Sequence, residues 1–399
     1  MITLKDIEAA YKLISSELVA TPLKETRHFS KMVGATLYLK MENLQHTGSF
    51  KVRGATNRIL KLTLEEKTRG VVAASAGNHA QGVASIAAQR GIPATIFMPE
   101  TTPFVKLVST RGFGAEVILT GKNYDEAYVE AKKYCKERGS VFIHAFEDDD
   151  IIAGQGTVAL EILDKLPEFD RILVAIGGGG LISGIATALK EKNPKIEVVG
   201  VQTESAPSMY EAFHKNEILS PLILKPSIAE GITVKQASPK TFEIIQKYVD
   251  DVVLVSENEI ASAILLLMER SKTVVEGAGA ASMAAALKGH AKGKTVVLLS
   301  GGNIDMTILS KIIDRGLVKE GRLLRLSVTV TDKPGSLHGL TKIIAEGGAN
   351  ILQIEHDRLS AKLALGETEV VFALETKGHD HVSDLLKKLR EHGYYYQKL

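Results

Sequence analysis

The sequence predicts an α/β protein: two lobes of parallel and mixed sheet wrapped by helices, followed by a smaller unit ordered βαββαβ. Three observations carry this expectation. Between residues 36 and 143, short apolar runs alternate with helix-length amphipathic runs, and strands joined through helices lie parallel. At Arg171 the alternation starts again, now with a continuous apolar strand followed by four glycines. After Glu320 the grammar changes to strand, helix, two strands, helix and strand, a split ferredoxin-like order.

Taken in order, the chain opens with a helix that Thr3 can cap, its apolar face formed by Ile7, Ala10, Tyr11 and Ile14, and Thr21-Pro22-Leu23 ends it. The apolar run 71–74 precedes a helix through Arg90. The run 94–98 precedes a helix opening at Pro103, a favourable first-turn proline. Residues 115–119 lead into the helix that contains Cys135, and 141–143 close the first series. In the second series, 171–176, 196–201, 252–255 and 295–299 read as strands, with helices from Leu181 to about Lys192 and over 257–270. In the last unit, 323–330, 350–354 and 367–374 read as strands, 336–346 and 381–392 as helices, and Tyr394-Tyr395-Tyr396 as a final strand. The expected division is 1–320, with a small lobe at about 50–145 inserted in a larger one, and 321–399.

At 399 residues the chain exceeds what one core organises, in keeping with several domains. A formal charge of +2, from 49 basic and 47 acidic residues without a basic block or a tryptophan, argues against nucleic acid or an anionic membrane as partner. Cys135 is the only cysteine, which excludes an internal disulfide and reads as one face of its helix. The first residues lack a basic segment followed by an apolar one, and the run 260–268 is too short to span a bilayer. A cytoplasmic protein is expected.

Chemistry concentrates at turns. Lys51 lies in Gly48-Ser49-Phe50-Lys51-Val52-Arg53-Gly54-Ala55, where glycines permit a tight turn and Phe50 offers a flat apolar shield. A desolvated lysine sheds its proton more readily, and the neutral amine is the nucleophile that attacks carbonyls. Gly177, Gly178, Gly179 and Gly180, after a buried strand and before the helix opening at Leu181, leave backbone amides free to converge on a phosphate. Neither nucleotide signature fits: counted from Gly178 the dinucleotide register ends on Ser183, and Leu181-Ile182 stands where a triphosphate loop needs lysine and a hydroxyl. Ser75, Ala76, Gly77, Asn78 and His79 form a strand-to-helix junction suited to a carboxylate. Ser300, opening Ser300-Gly301-Gly302-Asn303, can bond a ring nitrogen without holding it protonated. Each motif alone also reads as an ordinary turn or helix cap, and Glu230 and Glu276 alone read as loop carboxylates.

Together, an amine nucleophile, a phosphate cradle and a ring-nitrogen partner are what pyridoxal phosphate requires. Glu42-Asn43-Leu44-Gln45, Thr47-Gly48-Ser49-Phe50-Lys51-x-Arg53-Gly54-Ala55, Ser75-Ala76-Gly77-Asn78-His79, the glycine run and Ser300-Gly301-Gly302-Asn303 resemble the fold-type II pyridoxal phosphate enzymes, nearest the threonine dehydratases. The resemblance implies that Lys51 carries the cofactor and takes the α-proton, with Phe50 beside the ring. It further implies Asn78 at the 3-hydroxyl, residues 177–181 at the phosphate and Ser300 at the ring nitrogen, with 75–79 holding the substrate carboxylate. A serine at the nitrogen makes the ring a weaker electron sink, which suits prompt loss of the β-hydroxyl, with the cofactor phosphate as the acid.

Serine racemases look similar but carry a second serine where Ala76 stands, and Ala76 cannot take a proton. Gln202 and Ser208 stand where those relatives place acidic residues for a divalent cation, so no metal is expected, while a monovalent cation on backbone carbonyls stays open. Asp332-Lys333-Pro334-Gly335-Ser336-Leu337 and Gly348-Ala349-Asn350-Ile351 resemble the ACT sensor domains. That implies an amino-acid or nucleotide effector near Leu337, Asn350 and Ile351 and a homo-oligomer, a tetramer in expectation. The expected activity is conversion of threonine to 2-oxobutanoate and ammonia, in isoleucine biosynthesis or threonine catabolism. The alternatives are a serine-preferring dehydratase and a catalytically silent amino-acid sensor.

Overall fold

The computed structural model describes residues 1–358 and 363–399, in two units, Met1–Ile304 and Asp305–Leu399. The first unit holds both expected α/β lobes. Its larger sheet has β1 (Leu23–Glu25), β2 (Thr36–Met41), β7 (Arg171–Ala175), β8 (Glu197–Thr203), β9 (Asp251–Val255) and β10 (Lys294–Leu299), in the order β1-β2-β10-β7-β8-β9. All pairs are parallel except β1 with β2. The smaller sheet is wholly parallel: β3 (Val71–Ala74), β4 (Ala94–Met98), β5 (Glu116–Leu119) and β6 (Val141–Phe142), ordered β5-β4-β3-β6. Parallel strands covered on both faces are apolar throughout, and β3 is buried at all four positions.

Two departures from the sequence reading bear on the frame of the first unit. The stretch expected to end the first helix at Thr21-Pro22-Leu23 leads into β1, a three-residue edge strand too short to show alternation. A 17-residue helix, Asp149–Lys165, crosses the interior of the unit, over a stretch without a periodic apolar stripe. Every residue from Ile151 to Ile162 on it is buried, so it has no polar face to mark its period. Its neighbours approach closely. A Cβ placed on Gly184 of helix Gly180–Lys192 would lie 2.3 Å from the Ile152 carbonyl oxygen, and one on Gly154 would lie 2.7 Å from the Cα of Gly54 in helix Lys51–Leu60. Glycine is the residue that permits such contact.

At the same crossing sits a buried ionic cluster. Arg53 donates through Nε and Nη2 to both Glu42 carboxylate oxygens, at 2.7 and 2.8 Å, and through Nη1 to Glu161 Oε1 at 2.7 Å. Lys40 on β2 donates to Glu161 Oε2 at 2.5 Å and to the Thr21 carbonyl at 2.9 Å, and the Thr21 hydroxyl closes the set on Glu42. None of the four charged side chains is more than 6% exposed.

The second unit has the expected βαββαβ order: β11 (Leu323–Thr331), helix Ser336–Glu346, β12 (Asn350–Asp357), β13 (Glu367–Glu375), helix His379–Glu391 and β14 (Tyr395–Lys398). Its sheet, β12-β13-β11-β14, is antiparallel, and Leu326, Val328, Phe372, Leu340, Ile344 and Leu385 fill the space between sheet and helices. Helix Met306–Lys319 groups with this unit.

Removing one member of the buried cluster leaves its partners charged and unpaired. Arg53→Ala is expected to lose about 3–5 kcal/mol of stability, measured by urea unfolding at neutral pH.

Candidate active site

Lys51 is the first residue of helix Lys51–Leu60, and the turn before it is laid along the end of β10. Ser49 forms an antiparallel bridge with Gly301, Phe50 N donates to the Ser300 carbonyl at 3.1 Å, and Gly302 N donates to the Gly48 carbonyl at 2.8 Å. Gly48 has φ +71° and a Cβ there would lie 2.4 Å from Asn303 Oδ1, so glycine is needed on both counts. This pairing sets Lys51 beside Ser300, which is 3% exposed.

The Lys51 amine donates to the Ala145 carbonyl at 3.0 Å and stands 5.3 Å from the Phe50 ring centroid. Burial lowers its pKa to about 8, against the nearby charge of Glu276, so a sizeable fraction is neutral near physiological pH. The residue after Ala145 leads to the glycine run. A Cβ on Gly178 would lie 2.4 Å from the Phe146 ring, Gly179 has φ +89°, and the Gly178 carbonyl accepts from Thr241 Oγ1 at 2.8 Å. Segment 145–146 thus touches both the lysine and the loop 177–180, at the carboxyl end of β7 beside β10. Helix Gly180–Lys192 starts there with Leu181 buried, presenting its positive end to the loop.

From the smaller sheet, β3 delivers the turn 75–77 and the start of helix Asn78–Gln89. Ser75 Oγ accepts from Gly77 N at 3.2 Å, and a Cβ on Gly77 would meet nothing within 4 Å, so this turn borders open space. Asn78 Nδ2 donates to Glu276 Oε1 at 2.6 Å, and its Oδ1 accepts from Asn303 Nδ2 at 2.8 Å. Asn303 also donates to the Thr47 carbonyl at 2.8 Å, joining the 47–50 turn, the 300–303 turn and the Asn78 helix. His79 turns inward: it is 3% exposed and its Nε2 lies 2.9 Å from the Ile143 carbonyl, which fixes that nitrogen as the donor.

Crevices at the carboxyl ends of parallel strands are where open α/β folds bind small molecules, and this one gathers an amine, a glycine loop and a buried hydroxyl. Compared with protein families, residues 14–302 match the one described as pyridoxal-phosphate dependent enzyme. The chain belongs to that family.

Among relatives of this pyridoxal phosphate enzyme, L-threonine ammonia-lyase of Geobacter sulfurreducens is 48% identical over 391 residues, covering 97% of each chain. L-threonine ammonia-lyase of Thermotoga maritima is 48% identical over 396 residues, covering 99% of this chain and 98% of the relative. Among solved structures, maize serine racemase superposes with a TM-score of 0.73 at 34% identity, covering 79% of this chain and 98% of that one. The processed threonine deaminase isoform 2 of Solanum lycopersicum gives 0.73 at 35%, covering 78% and 86%.

Several residues of the site carry no mark in the sequence. Ala145 contributes a backbone carbonyl and Phe146 a ring edge, and neither lies in a motif. Glu276 looked like a loop carboxylate and instead faces Asn78. Gln202 accepts from Met209 N and Tyr210 N at 2.9 and 2.8 Å, so its amide serves the start of helix Ser208–Lys215. Among the described residues, no group of three or more His, Cys, Asp or Glu is arranged to hold a metal, and no helix is long and apolar enough to cross a membrane. Leu337, Asn350 and Ile351 lie in the C-terminal unit, Leu337 and Ile351 packed against its core and Asn350 Nδ2 3.4 Å from Glu375 Oε2.

Burial pushes the His79 pKa down to about 3, with the Lys51 and His144 charges adding and the Ile143 bond opposing. Between the ordinary value of 6.5 and about 3 the unfolded chain therefore takes up a proton that the folded one refuses, and stability falls as pH falls. Urea unfolding across that window should show a steeper acid loss for the native protein than for His79→Gln, each referred to its own stability at neutral pH.

Proposed function

We propose that this chain is a threonine ammonia-lyase that converts L-threonine to 2-oxobutanoate and ammonia. The observation that carries the reading is the 48% identity, over nearly the full length of both chains, to two relatives named for that activity. The site's own chemistry fits the cofactor its family uses. The loop 177–180 is a cradle whose floor a side chain would fill, Lys51 is a desolvated amine, and Ser300 is a buried hydroxyl at a strand end.

In this reading residues 177–181 would hold the cofactor phosphate through backbone amides and the helix end, with Ser300 to bond the ring nitrogen, Asn78 the 3-hydroxyl and Phe50 to pack against the ring. When bound, pyridoxal phosphate supplies an electron sink for the bond pair released at the substrate α-carbon. Lys51 would tether the cofactor and would take the substrate α-proton, a role suited to an amine whose pKa burial lowers to about 8. The 75–79 junction receives the substrate carboxylate, with Ser75 and the amides around Gly77 at the open turn. Ala76 offers no second base, which favours elimination over racemisation at this site. A serine-preferring lyase is the nearest rival within the same chemistry.

The C-terminal unit, residues 321–399, reads as an ACT-like regulatory domain. Its βαββαβ order and antiparallel sheet support this, with an amino-acid or nucleotide effector near Leu337, Asn350 and Ile351. A cytoplasmic homotetramer in isoleucine biosynthesis or threonine catabolism completes the reading.

Purified protein supplied with pyridoxal phosphate should show a visible absorbance band and form 2-oxobutanoate from L-threonine faster than pyruvate from L-serine. Lys51→Ala should lose the band and roughly a thousandfold or more of the activity, with its far-ultraviolet circular dichroism kept. A wild-type protein that stays colourless and inert sinks the reading, and faster turnover of serine hands it to the rival.

A further inference from the structure

Glu276 occupies the N-cap of helix Gly277–Ala285, yet its side chain makes no bond to the helix it caps. Its backbone amide is tied to the Gly301 carbonyl at 3.1 Å, and its Oε1 turns to Asn78 Nδ2 at 2.6 Å. The carboxyl is pressed against the 300–302 turn, since a Cβ on Gly301 would lie 2.3 Å from Oε1. Asn78 is thereby held from both ends, its Nδ2 by Glu276 and its Oδ1 by Asn303. Without an ordinary capping role, the carboxyl is left to Asn78, against the turn that also pairs with Ser49 two residues before Lys51.

We propose that Glu276 is a positioning residue of this site, one that orients the Asn78 amide and brings a carboxylate against the 300–302 turn on which the Lys51 turn is laid. The inference rests on the lyase reading above and adds a residue to it. The one carboxylate that acts on Lys51 among the described residues is Glu276, and His79, which is buried and neutral, and His144 are the other titratable groups that feel the lysine's charge. Glu276 faces Lys51, Lys106 and Glu230, the last two paired with each other. Burial pushes Glu276 up to about 7, with Glu230 adding and with Asn78, Lys106 and Lys51 opposing. Its charge is thus present above neutrality and fades as pH falls, so acid weakens the hold on the Lys51 proton just where protonation would otherwise silence the amine.

The test is a pH titration of the visible band of the cofactor-loaded protein, with kcat/KM for L-threonine across the same range, in wild type, Glu276→Gln and Glu276→Asp. Glutamine keeps an oxygen for Asn78 and discards the charge, while aspartate keeps the charge on a shorter arm. The band midpoint, and the limb on which activity rises with pH, should fall by about one pH unit in Glu276→Gln and stay near wild type in Glu276→Asp. Unmoved midpoints in Glu276→Gln overturn the proposal, and so does an equal displacement in both variants, which would tie the effect to shape. Should Glu276→Gln fail to load, the Lys51 amine is followed in the cofactor-free proteins by the pH dependence of its acetylation with acetic anhydride. The same downward shift is expected there, and its absence overturns the role. A wild-type protein without the band removes the lyase reading and this inference together, whereas a normal band with an unmoved midpoint removes this inference alone.

Discussion

Two residues beyond Lys51, Arg53 carries a permanent charge into a place that is 1% exposed, and two carboxylates take its donors there. Stripping water from four charged groups costs several kcal/mol each, and attraction offsets that cost only when every hydrogen bond is well formed. The cluster is therefore better understood as a constraint on geometry than as a surplus of stability. Glu42 follows β2, Arg53 lies in the helix that Lys51 starts, and Glu161 comes from the central helix, so the set is satisfied in one mutual arrangement of the three. Lys51 inherits its position from that arrangement at one end and from the Ser300 turn at the other.

Within a few residues the same helix handles burial of charge in opposite ways. Arg53 is paired with two carboxylates. Lys51 receives one neutral carbonyl and no ion pair among the described residues, so desolvation is left to act on it. Glu276 is likewise left with one amide donor and drifts toward the neutral form. A protein that can build a fully paired cluster in its interior has withheld the same treatment from the two titratable groups at its strand ends. Unrelieved desolvation leaves both groups titrating near neutrality, where proton transfer at physiological pH is easiest.

What was legible in the sequence is what leaves a pattern along it. Parallel strands appear as apolar runs, so both lobes and the βαββαβ unit could be anticipated, and the glycine run, the Lys51 turn and the Ser300 turn stand out as motifs. Helix Asp149–Lys165 could not, because burial on every side removes the alternation that marks a helix. Ala145 acts through a carbonyl that any residue would supply, and Phe146 matters as the surface on which Gly178 rests. Glu276 is the instructive case. Its residue type and loop setting were visible, but its meaning depends on Asn78, 198 positions earlier, and on the fold that joins them.

The position of the site at strand ends also explains why so few side chains do the chemistry. Turns after β3, β7 and β10 meet there, and a turn offers mainly backbone amides and carbonyls. Three glycine contacts, at Gly48, Gly178 and Gly179, exclude side chains from the walls and let the backbone come close to whatever is bound. That leaves chiefly the Lys51 amine, the Glu276 carboxyl, the Ser75 and Ser300 hydroxyls and two amides, with Glu276, Asn78 and Asn303 hydrogen-bonded in series across the turns. Such a set is well suited to gripping and orienting a reactive group and to moving one proton, and poorly suited to stabilising a carbanion unaided. The scarcity of functional side chains is thus itself consistent with a family in which the cofactor carries the electronic burden and the protein supplies position and proton control.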